Sequence, residues 1–305
     1  MSDSPIAGTI DPDDAFGALA DATRVAILQA LWDAEGHEAT FSTLRDAVGV
    51  DDSGRFNYHL DRLTDRFVVR TDDGYRLTLA GRNVHGALLA GAYTQEGSVD
   101  PIPLPEPCPA CGGDRTFRYD GEQVEIVCAD CDVRSHFSVP PGVFEGYEVG
   151  AWPAVADRYV RTIIAEVDNG FCPFCEGRIR TRVAPRLGKM DADPGADPAP
   201  DADLPERHRG VPSIRYECER CGEEVVVDLG SGLSTHPAVV AFFHDQGIDL
   251  RDVPLARLSA TGHDRARVRK RDPLRASVRY AAGGETLTLV VDADCTVRSV
   301  DRSDG

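Results

Sequence analysis

Eight of the nine cysteines fall into four C-x-x-C pairs: Cys108-Pro109-Ala110-Cys111, Cys128-Ala129-Asp130-Cys131, Cys172-Pro173-Phe174-Cys175 and Cys218-Glu219-Arg220-Cys221. Two such pairs converging on one point supply the four thiolates of a tetrahedral Zn²⁺ site, with Zn–S distances of about 2.3 Å. Sixteen residues separate the first two pairs and forty-two the second two. Between the first two, Thr116 to Tyr119, then Asp120-Gly121, then Val124 to Val127 alternate as a hairpin. Arg178 to Val183 and Ser213 to Tyr216 alternate in the same way between the second two. The spacing predicts two zinc ribbons and two Zn²⁺ per chain, each closed by four cysteines and therefore structural, with no open position for catalysis. A lone C-x-x-C would equally suit thiol–disulfide exchange; four pairs with hairpins between them favour metal. His136 and His208 are expected to be surface histidines, and Cys295 a small core residue.

A second constellation lies nearer the N-terminus. Phe56, Leu60, Leu63 and Phe67 follow an i, i+4, i+7, i+11 spacing, which predicts a helix from about Asp52 to Arg66 with one apolar stripe. Ser53, Arg55, Asn57, His59 and Arg62 are then expected to face outward. Arg suits guanine, Asn suits adenine, and Ser or His can serve bases or phosphates. Val68-Val69-Arg70 and Tyr75-Arg76-Leu77 flank Asp72-Asp73-Gly74, a type I′ hairpin signal that would place Arg70 and Arg76 to reach the flanking duplex backbone or minor groove. A polar helix face alone is as readily a solvated face; the hairpin that follows at once favours nucleic acid.

Ala15 and Leu19 predict one short helix before this unit, and Val25, Ile27, Leu28 and Leu31 a second, with Asp21 or Thr23 as its N-cap. Phe41, Leu44 and Val48 give a third, ended by Gly49, and Leu79 to Tyr93 a last one. Helix, helix, helix, helix, hairpin, helix is the order of a winged helix-turn-helix. The expected fold class is α+β, in four segments. Residues 1–97 form the winged helix and 98–150 the first zinc ribbon. Residues 151–235 hold a connecting helix and the second ribbon, interrupted by a low-complexity Asp/Ala/Pro insertion at 188–210 expected to be disordered. Residues 236–305 form a small C-terminal helix plus antiparallel sheet, with a helix at His236–Gly247 and strands at Ala276–Tyr280, Glu285–Asp292 and Thr296–Val300. Gly97 to Pro107 reads as a Pro-rich linker. The run Arg265, Arg267, Arg269, Lys270, Arg271 is the densest basic stretch, open between a polyanion or partner contact and a solvated strand edge.

Net charge is −18, from 51 acidic residues (35 Asp, 16 Glu) against 33 basic ones, of which only Lys189 and Lys270 are lysine. An Asp-rich, Lys-poor composition resembles that of proteins working in molar salt. Such charge opposes nucleic-acid binding, although the Debye length of about 3 Å at 1 M salt screens most of the repulsion. No leader-like start and no apolar run of about 18 residues is present, so a cytoplasmic protein without a membrane partner is expected. A reducing compartment also favours metal over disulfide for the cysteine pairs. No nucleophile–base pairing, phosphate loop or H-E-x-x-H helix suggests an enzyme.

Phe16-Gly17-Ala18-Leu19-Ala20-Asp21-Ala22-Thr23-Arg24-Val25-Ala26-Ile27-Leu28 resembles the opening of arsenical-repressor-type (ArsR) winged helices. Asn57 to Leu63 and Gly74 to Gly81 are similar to that family's recognition helix and wing exit. The resemblance, over about residues 13–95, implies a sequence-specific transcriptional regulator that binds double-stranded DNA as a homodimer through the first and last helices of the unit. The C-terminal half is similar to sensing or interaction modules appended to such winged helices in halophilic archaea, with no effector indicated. This N-terminal unit contains no cysteine, so the thiolate sensing site of the family's founders has no counterpart. Two other readings remain: a basal factor resembling archaeal transcription factor E, and a zinc-ribbon interaction scaffold without DNA binding.

Overall fold

The computed structural model describes residues 10–131, 134–185, 210–261 and 264–304. It is a mixed α+β structure with two four-cysteine clusters. The chain divides into two compact units, one running to Gln95 with Pro140–Gly142 added, the other comprising Glu96–Val139 and the chain from Val143 onward. The 188–210 insertion and His208 lie, but for Gly210, outside the described residues.

The N-terminal unit contains α1 (Pro12–Gly17), α2 (Ala22–Asp33), α3 (Phe41–Val48), α4 (Ser53–Leu63) and α5 (Leu79–Leu89). Three short strands, β1 (Glu38–Ala39), β2 (Val68–Arg70) and β3 (Tyr75–Leu77), form a sheet of order β1-β3-β2. Local chemistry sets each helix start. Asp21 caps α2 by accepting from Thr23 N at 2.8 Å and Arg24 N at 3.3 Å. Thr40 caps α3, Asp52 caps α4 and Thr78 caps α5, each satisfying backbone donors that the first turn cannot. Gly49 in the left-handed region ends α3. Ile27, Leu28 and Leu31 of α2, Leu44 of α3 and Phe56, Leu60 and Leu63 of α4 meet in one core. Each such side chain contributes on the order of 1.5–3 kcal/mol through burial.

β1 was not foreseen, and it changes the hairpin. Gly74 adopts φ 155°, and a Cβ there would lie 2.4 Å from the Ala39 carbonyl oxygen of β1. Asp73 is not at positive φ, so the expected type I′ turn is absent; Thr71 N instead donates to Gly74 O at 2.8 Å. Glycine is needed here for close approach of a third strand rather than for the turn type. Type I′ geometry occurs instead at Gly121-Glu122 (φ 50° and 71°) and at Gly283-Gly284 (φ 58° and 80°).

Among the described residues the second unit holds three sheets. β4 (Ser98–Leu104), β5 (Arg115–Asp120), β6 (Gln123–Cys128) and β7 (Arg134–Ser138) form an antiparallel sheet in chain order. Its first strand is the stretch expected to be a linker; Pro101 and Pro103 are tolerated because β4 is an edge strand, and a register shift falls between Val99 and Ile102. α6 (Trp152–Asp168) follows, then β8 (Ile179–Ala184), β9 (Ser213–Cys218) and β10 (Glu224–Asp228), paired antiparallel in the order β10-β9-β8. The short α7 (Leu229–Gly232), α8 (Pro237–Asp245) and α9 (Leu255–Leu258) lead to a four-stranded antiparallel meander. Its strands are β11 (Ala266–Arg271), β12 (Leu274–Ala282), β13 (Glu285–Asp292) and β14 (Val297–Asp304).

Two cores serve this unit. Phe117, Tyr119, Val124 and Phe144 pack with Val155 and Ala156 of α6. Val167, at the other end of α6, joins a larger core with Val183, Ile214 and Tyr216 of the second sheet, Val239 and Phe242 of α8, and Ala276, Val278, Leu287 and Leu289 of the meander. The sheet formed by β8, β9 and β10 and the C-terminal meander therefore share a core. Asp157 of α6 also accepts from Leu255 N at 2.9 Å and ion-pairs with Arg161 at 2.9 Å.

Candidate metal centres and nucleic-acid interface

The four thiols of Cys108, Cys111, Cys128 and Cys131 lie within 4.8 Å of one another, as do those of Cys172, Cys175, Cys218 and Cys221. Sγ–Sγ separations are 3.6 Å for Cys108–Cys131 and 3.5 Å for Cys111–Cys128. In the second cluster they are 3.7 Å for Cys172–Cys221 and 3.5 Å for Cys175–Cys218. All are free thiols, far beyond the roughly 2.05 Å of a disulfide. Four sulfurs at about 2.3 Å from one Zn²⁺ define tetrahedral edges of about 3.8 Å, so both clusters fit that ion with little adjustment. The donor set is all thiolate and each cluster supplies four, which leaves no open coordination position.

Among the described residues, three of the four pairs are presented by a tight turn closed by a backbone hydrogen bond. Gly112 N donates to Cys108 O at 2.8 Å, Glu176 N to Cys172 O at 2.9 Å and Gly222 N to Cys218 O at 3.0 Å. The residue after the second cysteine is left-handed in all three: Gly112 (φ 77°), Glu176 (φ 56°) and Gly222 (φ 77°). Backbone N–H groups of the cysteine turns also point at sulfur. Gly113 N approaches Cys111 Sγ at 3.4 Å, Asp130 N approaches Cys128 Sγ at 3.4 Å and Arg220 N approaches Cys218 Sγ at 3.4 Å. The N–H groups of Cys221 and Arg220 hold the Cys218 thiol down at about 6, against its burial. Burial and the adjoining Cys221 and Cys218 thiols push Cys175 up to about 12. Burial, with the adjoining Cys221 thiol, pushes Cys172 up as well, an opposition to ionisation that a bound dication relieves. His136 on β7 is exposed and outside both clusters. Cys295 packs against the larger core, and burial followed by Asp168 and Asp292 pushes it up to about 12.

On α4, Ser53, Arg55, Asn57 and Arg62 are exposed, and Arg70 and Arg76 are exposed on the hairpin, as expected. His59 is not. It is 6% exposed and its Nδ1 lies 3.4 Å from Oδ1 of Asp21, the carboxylate that caps α2. The reason is helical: His59 stands three residues after Phe56 and four before Leu63, on the apolar stripe itself. Tyr58, which sequence reading passed over, is 58% exposed; its i+3 spacing from Arg55 and i−4 spacing from Arg62 put it on the outer face. Asn57 Nδ2 donates to Asp61 Oδ2 at 2.7 Å, so its amide already has a partner. Arg70 lies over the Tyr75 ring, 5.9 Å from its centroid. Arg55, Arg62, Arg70 and Arg76 form no ion pair among the described residues.

These features define an α+β protein with two tetracysteine centres suited to metal and an exposed cationic helix–hairpin surface in a separate unit. Residues 105–297, more than half of the chain and including both clusters, match the family described as domain of unknown function DUF7351, and the chain belongs to that family. Residues 12–88, which hold all five N-terminal helices but for the last residue of α5, are similar to a second family, domain of unknown function DUF7347. No curated protein matches, and neither does any solved structure.

Proposed function

We propose that this protein is a sequence-specific transcriptional regulator, whose N-terminal unit is an ArsR-like winged helix-turn-helix and whose two tetracysteine clusters each hold a structural Zn²⁺. The observation that carries the reading is the α3–Gly49–α4 arrangement followed directly by the β2–β3 hairpin, with cationic side chains exposed on both. In such a unit α4 enters the major groove, where Arg55 reads base edges, and the hairpin places Arg70 and Arg76 on the backbone. His59 takes no part; it belongs to the core of the unit. α1, α5 and the residues flanking them expose Ile10, Phe16, Leu79, Leu89 and Tyr93, an apolar surface that suits the homodimer through first and last helices. No helix among the described residues is long and apolar enough to cross a membrane.

The test is recovery of genomic fragments by the full chain in molar KCl. A regulator retains a few discrete loci, a basal factor retains promoters generally, and a scaffold retains none. Arg55→Ala should cost about 1–3 kcal/mol on the recovered sequence and little on random duplex. Equal losses on both would remove Arg55 from base reading. The scaffold reading draws on two observations, the −18 net charge and the pairing of Asn57 with Asp61.

A further inference from the structure

The C-terminal meander turns two unlike faces outward and inward. Ala266 of β11 and Ala276, Val278 and Tyr280 of β12 are buried in the larger core. Register fixes what lies opposite. Arg267 pairs with Ser277 and Lys270 with Arg275, and a β-bulge between Val268 and Lys270 absorbs the extra residue. Cross-strand partners share a face and alternate residues of β12 share a face. Arg267, Lys270, Arg275 and Arg279 therefore lie together on the face away from the core. Arg269 joins them, since its Nε donates to Ser277 Oγ at 2.8 Å. Without the bulge, strict alternation would have sent Lys270 to the other face from Arg267.

Five cations thus occupy one half of one sheet face, in a chain with 51 acidic residues against 33 basic. None of the five forms an ion pair among the described residues. Elsewhere in this unit arginines do find carboxylates: Arg215 with Glu224 at 2.8 Å, Arg251 with Asp249 at 2.6 Å and Arg302 with Asp245 at 2.7 Å. Even Asp292, opposite Arg275 on β13, is engaged by Arg298 instead. Register places Asp292 of β13 and Asp301 of β14 on the same face, but on its other half, so the cations cluster on β11 and β12 while the carboxylates of the face lie on β13 and β14.

We propose that this β11–β12 face is a nucleic-acid-binding surface that contacts the phosphate backbone. The chemistry separates a polyphosphate from an acidic protein partner. Protein interfaces centre on apolar and aromatic side chains, whereas no large hydrophobic residue of β11, β12 or β13 is exposed and Ser277 lies at the centre of the cations. Nucleic-acid interfaces are polar and strongly positive. Four of the five cations are arginine, whose planar fork matches phosphate oxygens. The bulge on the edge strand β11 also interrupts any ladder that an extended acidic peptide would build there. Alternate residues along a strand are about 6.8 Å apart and neighbouring strands about 4.8 Å, so the array can meet several phosphates at once.

The inference deepens the DNA-binding reading but stands on separate residues, and its test keeps the two apart. The full chain and two variants, Arg267→Glu/Lys270→Glu/Arg279→Glu and the milder Arg267→Gln/Lys270→Gln/Arg279→Gln, are titrated with a random-sequence DNA duplex from 0.1 to 1 M KCl. Polyglutamate serves as the peptide probe, and thermal melting verifies folding. Loss of at least about tenfold in duplex affinity at low salt is expected, with the log–log salt slope flattened by about 2–3 for the three charges removed. The glutamine variant should lose less and melt like the parent. Unchanged duplex affinity and slope in both variants, while Arg55→Ala still weakens the recovered fragment, would overturn the surface and leave the helix–hairpin reading standing. Loss confined to polyglutamate would assign the face to an acidic protein instead and likewise overturn it. Failure of the parent chain to bind any duplex would overturn both.

Discussion

At the scale of single residues, the thiols carry the firmest expectation. Each cluster has four sulfurs at tetrahedral-edge spacing, so the purified chain should contain two Zn²⁺ by elemental analysis. Cys108→Ser should lower this to one, because three thiolates and an alcohol hold the ion far more weakly. Retention of two ions would show that the first cluster does not close as a four-thiolate site. His59 makes a contrasting case. It is packed on the stripe of Phe56, Leu60 and Leu63 beside the Asp21 cap, so His59→Ala should lower the unfolding midpoint of the N-terminal unit while leaving its preference among DNA sequences unchanged. A shifted base preference at undiminished stability would return His59 to the groove.

Helix α4 is the element on which the DNA reading turns, and its N-terminus is titratable. The N–H groups of Arg55 and Gly54 hold the Asp52 carboxyl below its ordinary 3.8. A folded-state value below the unfolded one stabilises the fold above pH 3.8, and that contribution fades as pH falls through the depressed value. Asp21, which caps α2, is shifted in the same direction: burial raises it, but the N–H groups of Thr23 and Arg24 and the nearby His59 outweigh this. The N-terminal unit should therefore lose stability below about pH 4. Asp52→Asn keeps the cap and should blunt part of that dependence, while Asp52→Ala should lower the midpoint at pH 7 as well. Melting curves from pH 6 to 2.5 check this; identical pH dependence in parent and Asp52→Asn would mean that the cap carboxylate is not involved. In the core that holds α4 to α2, Leu60→Ala should cost about 2–5 kcal/mol, measured by denaturant unfolding.

For the whole molecule, metal and salt act on different parts. Both tetracysteine clusters lie in the second unit. Chelation at neutral pH should therefore abolish the β-sheet signal of that unit and leave the helical signal of the N-terminal unit, because structural zinc supplies folding energy where it binds. Loss of both signals together would make the N-terminal unit dependent on the metal. A net charge of −18 repels itself, and raising KCl from 0.1 to 2 M screens it. The unfolding midpoint of the zinc-loaded chain should rise across that range. A midpoint independent of KCl would show that self-repulsion is not what limits stability.

Much of this architecture follows from sequence because its determinants are local. C-x-x-C spacing, the alternation on β5 and β6, the 3.6-residue stripe of α4 and the caps Asp21 and Gly49 each depend on residues a few positions apart. Tertiary structure decided what depends on partners distant in the chain. β1 is two residues long and exists only because β3 pairs with it, which converted Gly74 from a turn former into a point of close approach. The stretch of β4, rich in proline, becomes a strand only because β5 lies beside it. His59 was legible in principle from its spacing to Phe56 and Leu63, but its polarity argued for solvent until Asp21 was seen next to it. The basic run on β11 shows the division most clearly. Sequence set its charge, but only the bulge and the pairing with β12 decide that Arg267 and Lys270 share a face with Arg279, because register is a property of two strands and not of either one.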